Sequence, residues 1–152
     1  MKAKLERIAK LIESSYDKHI DKAVQYIKDN WSDYSGFMEP DEVIVREIKD
    51  AIKGQKYIYR SIEVESLDDI NLRDTGIYWT WDEDKASSYW GDEDYRIILQ
   101  AKINPSEVNW VETVEQYIKP QYAEDELRTK KSPKAKVYKV FKRDGKKYKQ
   151  IK

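Results

Sequence analysis

The sequence predicts an α+β domain, with helices first and an antiparallel-rich sheet after them. Three observations carry this. Apolar residues recur every three or four positions over the first third of the chain and again over 43–52. From Lys56 onward the chain turns to β-branched and aromatic runs punctuated by Gly, Pro and Asp. No repeat or low-complexity linker divides the 152 residues, a length that suits one domain, with 1–55 its helical part and 56–152 its sheet part.

The elements follow in order. Leu5, Ile8, Leu11, Ile12, Tyr16, Ile20, Ala23, Val24 and Ile27 give the first helix its apolar stripe. Ser14 and Ser15 are expected to bend or split it, because Ser competes for backbone hydrogen bonds. A polar break over 30–36 follows. Pro40 suits the first turn of a second helix, whose stripe is Val43, Ile44, Ile48, Ala51 and Ile52 and whose stop is Gly54. Strands are expected over 57–62, 76–81 and 95–103, the last closed by Pro105. Asp82 can cap a short helix over 83–90, ended by Gly91. Further strands are expected over 108–110, 126–129 and 135–141. Asp144-Gly145 then reads as the centre of a hairpin turn.

Composition narrows the chemistry. The 29 basic and 29 acidic residues cancel, which excludes a globally basic nucleic-acid binder. An aromatic share of 12% is too rich for a disordered chain. Cysteine is absent and His19 is the single histidine, so thiol chemistry and histidine pairs are excluded. No apolar run approaches the roughly 18–20 residues of a membrane span, and the N-terminus lacks a signal-peptide pattern. A cytoplasmic protein without membrane contact is the expectation. Carboxylates, arginines, hydroxyls, 12 Tyr and 5 Trp remain to do the work.

Charge is segregated despite the neutral sum. Residues 63–94 hold 11 acids against Arg73 and Lys85, and residues 128–152 hold 12 bases against Asp144. The two stretches can face each other in the fold. Alternatively, the basic C-terminus can meet a nucleic acid or an acidic partner.

Three local features stand out. Arg60 sits in a strand among apolar neighbours, where an arginine usually pairs with a carboxylate or grips a phosphate. Tyr78, Trp79 and Trp81 flank Thr80, and Tyr89 follows on the next helix; flat rings around a hydroxyl can hold a heterocycle, or can be core. Glu124 and Glu126 project to one side if 124–126 is extended.

In this order the three features resemble the ADP-ribosyltransferase family, which carries an Arg on its first core strand, a Ser-Thr-Ser-like strand followed by a helix, and a Glu-x-Glu near a later strand. Arg60 matches the first motif. Thr80 matches the hydroxyl of the second, with Trp79 and Trp81 in place of the flanking hydroxyl residues. Glu124-Asp125-Glu126 matches the third, and residues 103–110 look like the strand exit ahead of it. The resemblance spans roughly residues 56–143. It implies a split β-sheet core, NAD as co-substrate and no metal, with Arg60, Thr80 and Glu126 converging on one cleft. It further implies that Glu126 stabilises the ribosyl cation and holds the ribose 2′-hydroxyl, while Glu124 orients or deprotonates the acceptor. Arg60 would grip the pyrophosphate and Thr80 would brace Glu126 or the ribose. Tyr78, Trp79, Trp81 or Tyr89 would wall the nicotinamide. The function implied is mono-ADP-ribosyl transfer to an intracellular macromolecule, such as an arginine of a host protein, as in phage or toxin-like effectors. The alternative is a catalytically silent module of the same fold that blocks a protein partner.

Overall fold

A computed structural model of the chain describes residues 2–88, 91–119 and 125–152. Among these residues four α-helices and six strands follow in the order α1 (Lys2–Asp29), α2 (Glu42–Ile52), β1 (Tyr57–Val64), β2 (Tyr78–Thr80), α3 (Glu83–Ser87), β3 (Tyr95–Lys102), α4 (Trp110–Ile118), β4 (Glu126–Arg128), β5 (Ala135–Asp144) and β6 (Lys147–Gln150). The domain is α+β. All strand pairs are antiparallel, in the order β4-β2-β1-β3-β5-β6.

The sheet is held unevenly. β1 and β3 share eight register pairs, from Tyr57 opposite Lys102 to Val64 opposite Tyr95. β1 and β2 share one, Tyr59 opposite Thr80. A four-stranded ladder (β1, β3, β5, β6) and a short β2–β4 ladder therefore meet at a single point.

The core lies between the helices and one side of this sheet. Ile20 and Ile27 of α1, Ile48 and Ile52 of α2, and Val114 and Ile118 of α4 pack with Ile58, Ile97, Leu99 and Leu127 from the strands. All ten are almost fully buried. Each such side chain contributes about 1.5–3 kcal/mol by leaving water.

Four local expectations are corrected. Ser14 and Ser15 do not split α1, which runs unbroken for 28 residues. The lower helix propensity of two serines costs little beside the burial of the stripe that follows them. The second helix is capped by Asp41, whose carboxylate accepts from Ile44 N–H at 2.9 Å, so Pro40 stands one residue ahead of the cap. Residues 108–110 are not a strand. Val108 makes one bridge to Thr129, and Trp110 opens α4 because the Asn109 side chain accepts from Glu112 N–H at 3.1 Å. The hairpin turn centres on Gly145-Lys146, since Asp144 pairs with Lys147. Gly145 alone is left-handed, at φ +64°, which fits a turn with glycine in its first central position.

The acidic and basic stretches touch, through an ion pair and bonds to backbone carbonyls. Arg143 donates to the Asp92 carbonyl, Lys139 pairs with Glu83, and the Tyr148 hydroxyl donates to the Glu93 carbonyl at 2.6 Å. No helix among the described residues is long and apolar enough to cross a membrane.

Candidate functional site

β2 carries Thr80 between its two neighbours. In the register Thr80 lies directly opposite Tyr59 of β1 on one flank and Glu126 of β4 on the other. Directly opposed residues share a side of the sheet, so Tyr59, Thr80 and Glu126 stand in a row. The Thr80 hydroxyl also accepts from Asp82 N–H at 3.0 Å, and the Asp82 carboxylate caps α3 by accepting from Asp84 and Lys85 N–H. The hydroxyl strand and the helix behind it are thereby one unit.

Arg60 is one residue beyond Tyr59 and is opposed by Leu99, a core residue. By the alternation of the pleat it leaves β1 on the other side from Thr80 and Glu126. Its guanidinium lies against Gly76, where φ is +81° and a Cβ would overlap it. Its Nη1 is buried and has no hydrogen-bond partner. Of the two roles open to a strand arginine, carboxylate pairing is not the one observed among the described residues.

The aromatic residues divide. Trp79 and Trp81 are 3% and 5% exposed and belong to the core. Trp79 donates its indole N–H to the Gly76 carbonyl at 3.0 Å, and Trp81 stacks on Tyr117 of α4. Both face the helices because they lie two apart on an alternating chain whose other side carries Thr80. Tyr78 is 54% exposed. Tyr89 and Glu124 lie outside the described residues.

Two features were not anticipated from the sequence. Arg128 of β4 places its guanidinium 4.0 Å from the centre of the Tyr78 ring and 3.5 Å from the Glu126 carboxylate. The i, i+2 spacing from Glu126 in a strand is a signal that could have found it. The second is the anchoring of Asp125, which has φ +70°. Lys85 approaches its carboxylate at 2.8 Å, the Tyr117 hydroxyl donates to it at 3.1 Å, and its carbonyl accepts from Trp81 N–H at 3.3 Å. The residue at the centre of Glu-x-Glu is thus clamped from α3, α4 and the end of β2. His19 stacks on Trp110 at 5.3 Å and is remote in role from this row; burial and the nearby Lys22 and Lys130 lower its pKa. No group of three or more metal-ligating side chains occurs among the described residues.

No family model, curated protein or solved structure matches the chain.

Proposed function

We propose that this chain is an NAD-consuming mono-ADP-ribosyltransferase with a macromolecular acceptor, and that Glu126 is its charge-stabilising carboxylate. The observation that carries this reading is the strand order. Arg60, Thr80 and Glu126 come from segments 20 and 46 residues apart in sequence, yet their strands β1, β2 and β4 are immediate neighbours, with Thr80 directly opposite Glu126.

The bond between nicotinamide nitrogen and ribose C1′ breaks, and nicotinamide leaves with the electron pair. The ribosyl centre becomes cationic, and Glu126 opposes that charge at close range. An acceptor nitrogen or oxygen bonds to C1′ and gives up its proton to a carboxylate, a role the family pattern gives to Glu124. Thr80 braces Glu126, and Tyr78 is the exposed ring beside them.

A second reading draws on one specific observation. Arg128 already engages both Glu126 and Tyr78, while Trp79 and Trp81 are taken up by the core. With Arg60 leaving β1 on the other side, this arrangement favours a catalytically silent module of the same type that blocks a protein partner.

One experiment separates the two. The protein is incubated with NAD labelled in the adenylate and a cell lysate, and label on macromolecules and free nicotinamide are both measured. The enzyme reading expects both products, and expects Glu126→Gln to lose about 10²–10³ in rate with an unchanged circular dichroism spectrum. Absence of both products from the wild-type protein across lysates supports the silent module. Full turnover by Glu126→Gln places the chemistry elsewhere.

A further inference from the structure

The side of the β1–β3–β5 ladder that turns away from the core is covered unequally. Near Ile98 it is closed by α3, which is tied to β5 through the Glu83–Lys139 pair, and Ile98 is fully buried. Toward the other end the register sets Tyr57 opposite Lys102, Tyr59 opposite Gln100 and Gln100 opposite Lys136. These residues share that side by the same alternation that sends Ile58, Leu99 and Ala101 into the core. The ladder irregularity between Ile98 and Leu99 leaves Tyr138 as an extra residue, and its ring lies 5.5 Å from that of Tyr59. A groove of about 740 Å³ opens here between Tyr57, Lys102 and the segment leading into β5, which adds Lys134.

Its chemistry is specific. Tyr57 and Tyr138 are each 37% exposed. Lys102, Lys134 and Lys136 are exposed, and none makes an ion pair among the described residues. On the C-terminal hairpin Arg143 is committed to the Gly145 and Asp92 carbonyls, while Lys142, Lys146 and Lys147 are exposed. What sets the start of β5 apart is that its exposed lysines stand beside the partly exposed rings of Tyr57 and Tyr138, the latter flanked by Tyr59 and by Lys139 Nζ at 5.4 Å.

We propose that this open side of the sheet docks a single-stranded nucleic acid. Bases stack on tyrosine rings whatever their sequence, and lysines track the phosphates between them. A duplex hides the faces of its bases and gains only the charge term. An acidic polypeptide likewise gains charge but no stacking. The site adjoins the Thr80–Glu126 row through Tyr59, and its test uses no NAD, so the proposal holds or fails without reference to catalysis.

The test is fluorescence anisotropy with labelled twelve-residue oligothymidylate and oligouridylate, a duplex of the same length, and polyglutamate as competitor, over a range of salt. Single strands should bind more tightly than the duplex, and polyglutamate should compete weakly. Tyr138→Ala should weaken single-strand binding about tenfold, while Tyr138→Phe, which keeps the ring, should bind as wild type. Replacing Lys102, Lys134 and Lys136 with Ser should flatten the dependence of log affinity on log salt by about 2, at roughly 0.7 for each phosphate that a lysine no longer neutralises. Replacing Lys142, Lys146 and Lys147 with Ser should leave both quantities unchanged. Absence of binding at low salt, preference for the duplex, equal competition by polyglutamate, or equal loss in the hairpin variant would each overturn the proposal. Thermal melts of every variant show whether the fold is intact, as the exposure of all the altered side chains leads one to expect.

Discussion

Removing the carboxylate of Glu63 should destabilise the domain by about 2–3 kcal/mol, because it strands a buried guanidinium. Glu63 on β1 faces Arg96 on β3 at 3.4 Å, and their side chains are 14% and 8% exposed. Breaking such a pair from one side costs about 3–5 kcal/mol when no other partner remains. Here two partners remain. Arg96 donates to the Ser87 carbonyl at the end of α3 at 3.1 Å, and its guanidinium lies 4.5 Å from the centre of the Tyr148 ring of β6. These hold the cation in part, and the Glu63–Arg96 separation is itself long, so the loss falls at or just below the lower end of that range. For a chain of this size the loss corresponds to a fall of about 5–10 °C in Tm, at roughly 2–4 °C per kcal/mol. Urea unfolding followed by tryptophan fluorescence measures it for Glu63→Ala, Arg96→Met, and Glu63→Leu combined with Arg96→Met. The combined variant removes both charges and should recover to within about 1 kcal/mol of the wild type or exceed it. A loss below about 0.5 kcal/mol for Glu63→Ala would refute the reasoning, as would a combined variant as unstable as the sum of the single ones.

Further outcomes follow from the same geometry. Gly76→Ala should cost about 1–3 kcal/mol in urea unfolding, since φ is +81° and the new methyl displaces the Arg60 guanidinium; combining it with Arg60→Ala should return part of that loss. Asn109→Ala should cost about 1 kcal/mol in the same assay by removing the cap on α4. Tyr34 donates to Glu115 at 3.0 Å, and burial together with that carboxylate pushes its pKa up to about 12. The folded state then holds a proton that the unfolded chain releases above about pH 10, so stability should fall between about pH 10 and 12, and Tyr34→Phe should make that fall shallower. Arg128→Ala should leave Tm within a few degrees and, if Arg128 shields Glu126, should raise the affinity for NAD measured by calorimetry; unchanged NAD binding removes that shielding role.

The strands around Arg60, Thr80 and Lys139 were legible because each carries aromatic and β-branched runs bounded by turn residues, and local pattern is enough for that. The helix from Trp110 was not, because Val, Trp and Thr near its start read as strand. What decides it is one hydrogen bond from Glu112 N–H to Asn109, together with the burial of Val114 and Ile118 against α1. The limits on the candidate site have the same origin. Sequence spacing located the three motif strands, and the fold makes them neighbours, but which side of a strand a residue faces depends on register with its partner. Arg60 is paired with Leu99, and that single pairing turns it toward the core while its neighbour Tyr59 stands in the row with Thr80 and Glu126. Trp79 and Trp81 follow the same logic. Their large rings mark a buried side as readily as a binding wall, and only the position of Tyr117 and the helices decides between the two. Arg128 is the converse case. It stands on Glu126's own strand at the one spacing that guarantees a shared side, so the strongest electrostatic neighbour of the candidate carboxylate was within reach of the alternation rule alone.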